Sequence, residues 1–234
     1  MKTICIILAR GGSKGLKRKN VRMLAGKPLI AHSIIAAKQS NACDVVLVTT
    51  EDEEIARIAK EYGAEVPFMR PPELADDETP PDPVIQHALK SYEEMVGYEF
   101  DIVVYLQPTD VFRTPEMIKQ CVDGLKENPE LESVTMACKS HKNYWRGSPE
   151  TGFRRVAGDL ATYESRQYRN EYLYREDTGV ASASRSRIPR NGKRLGTKVD
   201  IVITDDFRTG IDIHSEFDLW LAEKIMTEWE DNAD

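Results

Sequence analysis

A chain of 234 residues, 41% hydrophobic and 30% charged, can bury a sizeable core as one domain or as one domain with an appendage. Its formal net charge of −7 and pI near 5.3 argue against nucleic acid as a partner, because such binding needs an overall or clustered basic face. No apolar stretch approaches the roughly 20 residues of a membrane helix, and the N-terminus enters a strand without a signal-peptide pattern, so the expectation is a cytoplasmic protein with no membrane contact.

The Ile-rich run over residues 2–9 predicts a first strand, which passes directly into Arg10-Gly11-Gly12-Ser13-Lys14-Gly15 and on to Lys17, Arg18, Lys19 and Asn20. Glycines let backbone N–H groups approach an anion, and the cations neutralise charge that the amides cannot, so this loop reads as a phosphate-binding element. A solvated basic turn is the plain alternative. The P-loop design is absent, because the Gly-Lys pairs, Gly26-Lys27 and Gly192-Lys193, are followed by Pro28 and Arg194. The Gly-x-Gly-x-x-Gly dinucleotide fingerprint is also absent, which argues against a dehydrogenase.

Pro28 starts a helix carrying Leu29, Ile30, Ser33, Ile34 and Ala37, and residues 45–49 form a second strand. Thr50 is expected to cap a helix with an acidic first turn (Glu51, Asp52, Glu53), a buried stripe of Ile55, Ile58, Ala59 and Tyr62, and a stop at Gly63. Residues 66–69 read as a short third strand, 84–95 as a helix, 102–106 as an apolar strand, 115–126 as a helix capped by Thr114, and 133–138 as a strand. From 139 to 194 the pattern becomes polar, aromatic and Arg-rich, with Tyr144, Trp145, Phe153, Tyr163, Tyr168, Tyr172 and Tyr174. That content is too aromatic for a disordered linker. It packs locally or buries its aromatics against another subunit. Residues 200–204 return as a strand, and Ser215 with Asp218 opens a C-terminal helix carrying Phe217, Leu221, Ile225 and Trp229. Cys5, Cys43, Cys121 and Cys138 lack metal-ligand spacing and read as reduced core thiols. Alternating strands and helices of this kind predict an α/β architecture with a mostly parallel sheet, whose loops after residues 9, 69 and 106 share one crevice beyond the strand ends.

Four blocks, in order, resemble the acylneuraminate cytidylyltransferase family. They are Leu8-Ala9-Arg10 with Ser13-Lys14-Gly15 and Lys19-Asn20; Arg70-Pro71-Pro72-Glu73-Leu74-Ala75; Leu106-Gln107-Pro108-Thr109 with Arg113-Thr114; and Gly210-Ile211-Asp212-Ile213 with Phe217-Asp218-Leu219. The resemblance implies a three-layer, Rossmann-like nucleotidyltransferase fold as a single domain over 1–234, with 139–194 as an inserted dimerisation and sugar-pocket extension. It implies a homodimer acting on CTP and an acidic 2-keto-3-deoxy sugar, whose anomeric hydroxyl attacks the α-phosphate to give a CMP-sugar and pyrophosphate. In that scheme Arg10, Gly11, Gly12, Ser13, Lys14, Lys19 and Asn20 hold the nucleotide, and Arg10, Lys14, Lys19 and Asp212 form the catalytic set. Gln107, Arg113, Arg146, Arg166 and Arg175 face the sugar, the last three through looser matches. Asp212 binds Mg²⁺ or another divalent cation.

Three departures bear on that scheme. The family's Asp-Ile-Asp appears as Asp212-Ile213-His214, and imidazole is a poor Mg²⁺ ligand. Asp218 and Glu216 instead read as helix-start residues. The stretch after Ala75, usually rich in small hydroxyl residues, is Asp76-Asp77-Glu78-Thr79-Pro80-Pro81, and the sugar-pocket block carries an extra residue as Tyr174-Arg175-Glu176-Asp177-Thr178-Gly179-Val180. The alternatives left standing are a catalytically impaired dimeric binder of nucleotide or sugar, and a transferase for an eight-carbon octulosonate-type sugar or another NTP.

Overall fold

The computed structural model describes residues 1–140, 142–156 and 172–229. Its centre is strand β1 (Thr3–Leu8), whose period-two alternation sends Cys5 and Ile7 into one core and Ile4 and Ile6 into another. A short β2–β3 ribbon (Met23–Leu24, Lys27–Pro28) leads into helix α1 (Leu29–Gln39), after which β4 (Val45–Thr49) pairs parallel to β1. Helices α2 (Glu53–Glu61) and α3 (Pro81–Val96) precede β5 (Ile102–Leu106), which is parallel to β1 on its other side. Helix α4 (Pro115–Glu127) then leads to β6 (Ser133–Ser140), the hairpin β7–β8 (Trp145–Ser148, Gly152–Arg155), β9 (Leu173–Glu176) and β10 (Ser182–Arg185). The short α5 (Arg187–Arg190), β11 (Val199–Thr204) and α6 (Glu216–Glu228) complete the order.

The strand order is β11-β6-β10-β5-β1-β4, with β9 on β6; the β1·β4, β1·β5 and β6·β11 pairs are parallel, and those made by β9 and β10 antiparallel. Residues from α1, α2 and α4 (Ile30, Ile55 and Ile118 among them) cover one face, and α3 covers the other with Ile85, Ala88, Leu89 and Tyr92. The mixed, mostly parallel three-layer α/β sandwich follows from strands buried on both faces. Each fully buried Ile or Val side chain there contributes roughly 1.5–3 kcal/mol. A third cluster, Leu16, Leu24, Leu29, Val111, Ile213 and Leu219, lies at one end of the sheet and ties the glycine-rich loop to α6. Among the described residues no helix is long and apolar enough to cross a membrane.

Several expectations change. Residues 66–69 form no strand; only Glu65 bridges to Leu47, because Pro67 has no N–H for a ladder. The cap of α2 is Asp52, whose side chain accepts from Ile55 N at 3.0 Å, while Thr50 is buried and its hydroxyl accepts from Asp52 N. The expected extension over 139–194 is interrupted, because β10 lies inside the central sheet between β5 and β6. Its Ser182-Ala183-Ser184 sequence lacks the β-branched signature, yet small side chains suit its central place, with Ser184 Oγ 2.8 Å from Ser133 Oγ. On α6 it is Leu219 and Ala222 that are buried, while Phe217 and Trp229 are exposed. Gly63 does end α2, with φ 85° and its N–H on Lys60 O, and Thr114 does cap α4.

Candidate active site

Beyond the C-terminal ends of β1 and β5, where strands diverge from β1 to either side, lies a cavity of about 360 Å³. Arg10, Ser13, Lys14, Gly15, Lys19 and Asn20 form one wall, Gln107 to Thr109 another, and Asp76, Asp77 and Thr79 a third, with His214 at its edge. Six residues expected at the nucleotide or sugar, on two distant segments, therefore share one space: Arg10, Ser13, Lys14, Lys19, Asn20 and Gln107.

The loop is held in shape from within. Buried Asn20 donates its amide to Arg10 O at 2.9 Å, and Leu16 anchors the loop in the core. Gly15 approaches the late segment so closely that a Cβ would sit 2.6 Å from His214 O, which explains glycine there. Gly11 and Gly12 do not line the cavity. Gly11 N–H donates to Glu51 Oε1 at 2.6 Å, so this amide is engaged by a carboxylate. Arg18 turns away and pairs with Asp52 and Glu54, which accounts for part of the loop's surplus charge.

Lys19 is a partly buried cation of the lining. Its ammonium donates to Ile213 O at 3.1 Å, and burial pulls it below the usual lysine range against the opposing pull of Asp212. Asp212 and His214 are paired, with Nε2 2.7 Å from Asp212 Oδ2, whereas Asp212 Oδ1 is buried with no hydrogen-bond partner. Asp218 belongs to the helix start, as expected, in a reciprocal capping box with Ser215, and Glu216 pairs with Arg22.

Arg113, expected at the sugar, is instead enclosed. Its Nε donates to Val180 O at 2.7 Å, Nη1 to Ser33 Oγ, and Nη2 to Gln107 O and, at 2.7 Å, to Gly179 O. The guanidinium pins the Gln107 turn to the 179–180 backbone, which makes Arg113 a positioning residue. Arg175 is likewise turned away, bidentate on Asp177, and Arg146 lies exposed on β7. Arg166 lies outside the described residues.

Two further residues stand out only in the folded chain. Asp110 is raised to about 7 by burial and by the nearby Asp212 and Asp177 carboxylates, against the opposing effect of Arg113. Arg70, noted only as part of a block, lines the cavity, donates to Thr49 O, and is lowered to about 10 by burial. Arg70 follows a proline-broken segment and Asp110 a proline turn, a setting that marks rigid presentation, but neither neighbourhood is readable along the chain.

A family model described as cytidylyltransferase matches residues 4–189. The CMP-N,N'-diacetyllegionaminic acid synthase of Legionella pneumophila is 34% identical over 97% of this chain and 97% of its own length. The N-acylneuraminate cytidylyltransferase of Escherichia coli is 31% identical over 96% of this chain, which corresponds to 52% of that protein. Among solved structures, CMP:2-keto-3-deoxy-manno-octonic acid synthetase complexed with CTP superposes with a TM-score of 0.69 at 19% identity, covering 97% of this chain and 98% of the other, a likeness of fold.

Proposed function

The chain belongs to the cytidylyltransferase family, and we propose that it couples CTP to a nonulosonic acid, a 2-keto-3-deoxy acid sugar, giving a CMP-sugar and pyrophosphate. The observation that carries this reading is the meeting of Arg10, Lys14 and Lys19 with Gln107 around one cavity. The sugar's anomeric hydroxyl oxygen forms a bond to the α-phosphorus and gives up its proton to solvent, as the bond to the bridging oxygen breaks and pyrophosphate departs. Arg10, Lys14 and Lys19 neutralise charge on the phosphates, and most of the rate enhancement comes from such preorganised charge and from positioning. Gln107 offers both a donor and an acceptor to the sugar or base, on a turn that Pro108 and Arg113 make rigid.

The unpartnered Oδ1 of Asp212 fits a hard divalent cation, which needs only one or two carboxylates when phosphate oxygens complete its shell. Among the described residues no group of three or more such ligands occurs, so Asp212 would hold Mg²⁺ with help from substrate. Such a cation would supply positive charge to the phosphates.

Release of pyrophosphate from CTP is expected with a neuraminate, legionaminate or pseudaminate acceptor, well above that with an octulosonate or with ATP, GTP or UTP. Release with none of these combinations would instead favour the impaired binder, and preference for octulosonate the eight-carbon alternative.

A homodimer is part of the same proposal. The edge strand β11 exposes Val199, Ile201 and Ile203, the nearby Phe207 and Trp229 rings meet at 6.2 Å, and β7–β8 exposes Trp145 and Phe153. Edge strands and aromatic patches left open in this way favour a protein partner. Sedimentation equilibrium is expected to give twice the 26.5 kDa chain mass; a monomer at high micromolar concentration would remove this part of the account.

A further inference from the structure

We propose that Asp77 is a built-in counter-anion: it occupies the phosphate position of the Arg10–Asn20 loop before nucleotide arrives, is displaced by the triphosphate, and so sets nucleotide affinity and favours departure of pyrophosphate. This rests on the reading of that loop as the triphosphate site.

The geometry is that of an anion bridging two cations. Asp77 Oδ1 lies 2.7 Å from Arg10 Nη1, and Oδ2 lies 2.5 Å from Lys14 Nζ. Arg10 Nη1 also donates to Asp76 O at 2.9 Å, so the acidic loop caps the guanidinium twice. Asp76 builds the turn that presents its neighbour. Its Oδ1 accepts from Glu78 N at 2.9 Å, Thr79 N at 2.6 Å and Thr79 Oγ1 at 2.8 Å. Pro71-Pro72 and Pro80-Pro81 stiffen both ends of the segment.

The contact is built to exchange. The Lys14 side chain is 83% exposed and could point freely into water, yet it folds onto Asp77. Ion pairs in such wet surroundings are weak, so a ligand carrying several negative charges and more acceptor oxygens outcompetes a single carboxylate for the same cations. A buried pair of the same geometry would not yield in this way. Contact with Lys14 and Arg10 holds the Asp77 carboxyl below its usual range, which favours its charged form. With Asp77 in place one of the two positive charges is offset, and the loop discriminates between ligands that carry enough charge to displace it and those that do not.

Isothermal titration with magnesium pyrophosphate, on the wild type, Asp77→Asn and Glu78→Gln, tests the idea, since both substitutions change net charge equally and only one removes the bridge. Asp77→Asn is expected to bind pyrophosphate roughly threefold to tenfold more tightly and, in turnover assays, to be inhibited by it at correspondingly lower concentration with a lower KM for CTP. Glu78→Gln is expected to stay within about twofold of the wild type, the range of an exposed charge outside the bridge to Arg10 and Lys14. Unchanged or weaker binding by Asp77→Asn overturns the counter-anion while leaving the phosphate loop intact, provided Lys14→Ala still abolishes binding. An equal gain in Glu78→Gln overturns it too, by assigning the effect to overall charge. Binding that Lys14→Ala leaves untouched, or its absence from both the wild type and Asp77→Asn, removes the phosphate-loop reading itself and the inference with it.

Discussion

Lys19→Ala is expected to lower kcat/KM for CMP-sugar formation by about 10²–10³-fold, the range found when one preorganised donor to a developing oxyanion is removed. Its Nζ already sits at the cavity wall, held on Ile213 O at 3.1 Å, so little reorganisation accompanies its engagement with phosphate. Desolvation lowers its pKa, and the same desolvation strengthens its attraction for a phosphate that enters. The folded state loses only one hydrogen bond to a backbone carbonyl, worth about 0.5–1.5 kcal/mol. Steady-state kinetics with CTP and a nonulosonic acid, alongside urea unfolding, separate the two effects. A variant with near wild-type turnover, or one whose lost activity tracks unfolding, would exclude the role assigned to Lys19.

Arg113→Ala is expected to act in the opposite way, through stability. It strips a buried guanidinium from four acceptors, Val180 O, Ser33 Oγ, Gln107 O and Gly179 O, which span α1, the Gln107 turn and the approach to β10. Gly179 O and Gln107 O keep backbone donors in Gln107 N and Asp110 N, whereas Val180 O and Ser33 Oγ lose this partner; removing one side of such a buried network costs about 3–5 kcal/mol, a large share of the roughly 5–15 kcal/mol available to a domain. Arg113→Lys should recover only part of this, because one ammonium cannot reproduce the planar fork. Urea denaturation followed by circular dichroism measures the loss. A shift below about 1 kcal/mol would mean that these bonds are replaced by water and that the Gln107 turn does not depend on them.

The sheet was legible where burial on both faces demands Ile and Val. β1, β4 and β5 stand out as apolar runs, and the helices between them carry periodic stripes or capping residues. β10 was not legible, because a central strand of Ser182-Ala183-Ser184 is specified by the lack of room between β5 and β6, a tertiary condition with no local trace. Val66 and Phe68 misled in the other direction: their propensity favours a strand, and Pro67 prevents the ladder. In the site, glycines and cations clustered within eleven residues announced the phosphate loop, and Gln107-Pro108 announced a rigid turn. Arg113 carried the right signal for an important residue and the wrong one for its role, since charge on a motif does not reveal whether it faces ligand or backbone carbonyls. Asp77's partnership with Arg10 and Lys14 spans more than sixty positions, and only the folded chain brings it into view.

The central claim is that the loop from Arg10 to Asn20 grips a nucleoside triphosphate. A crystal structure with CTP and Mg²⁺ bound measures this directly. The account requires the β- and γ-phosphates against Arg10, Lys14 and Lys19, with Asp77 withdrawn from both of its cations and the α-phosphorus turned toward Gln107. Phosphates resting elsewhere on the chain, with Asp77 still bridging Arg10 and Lys14, would contradict it.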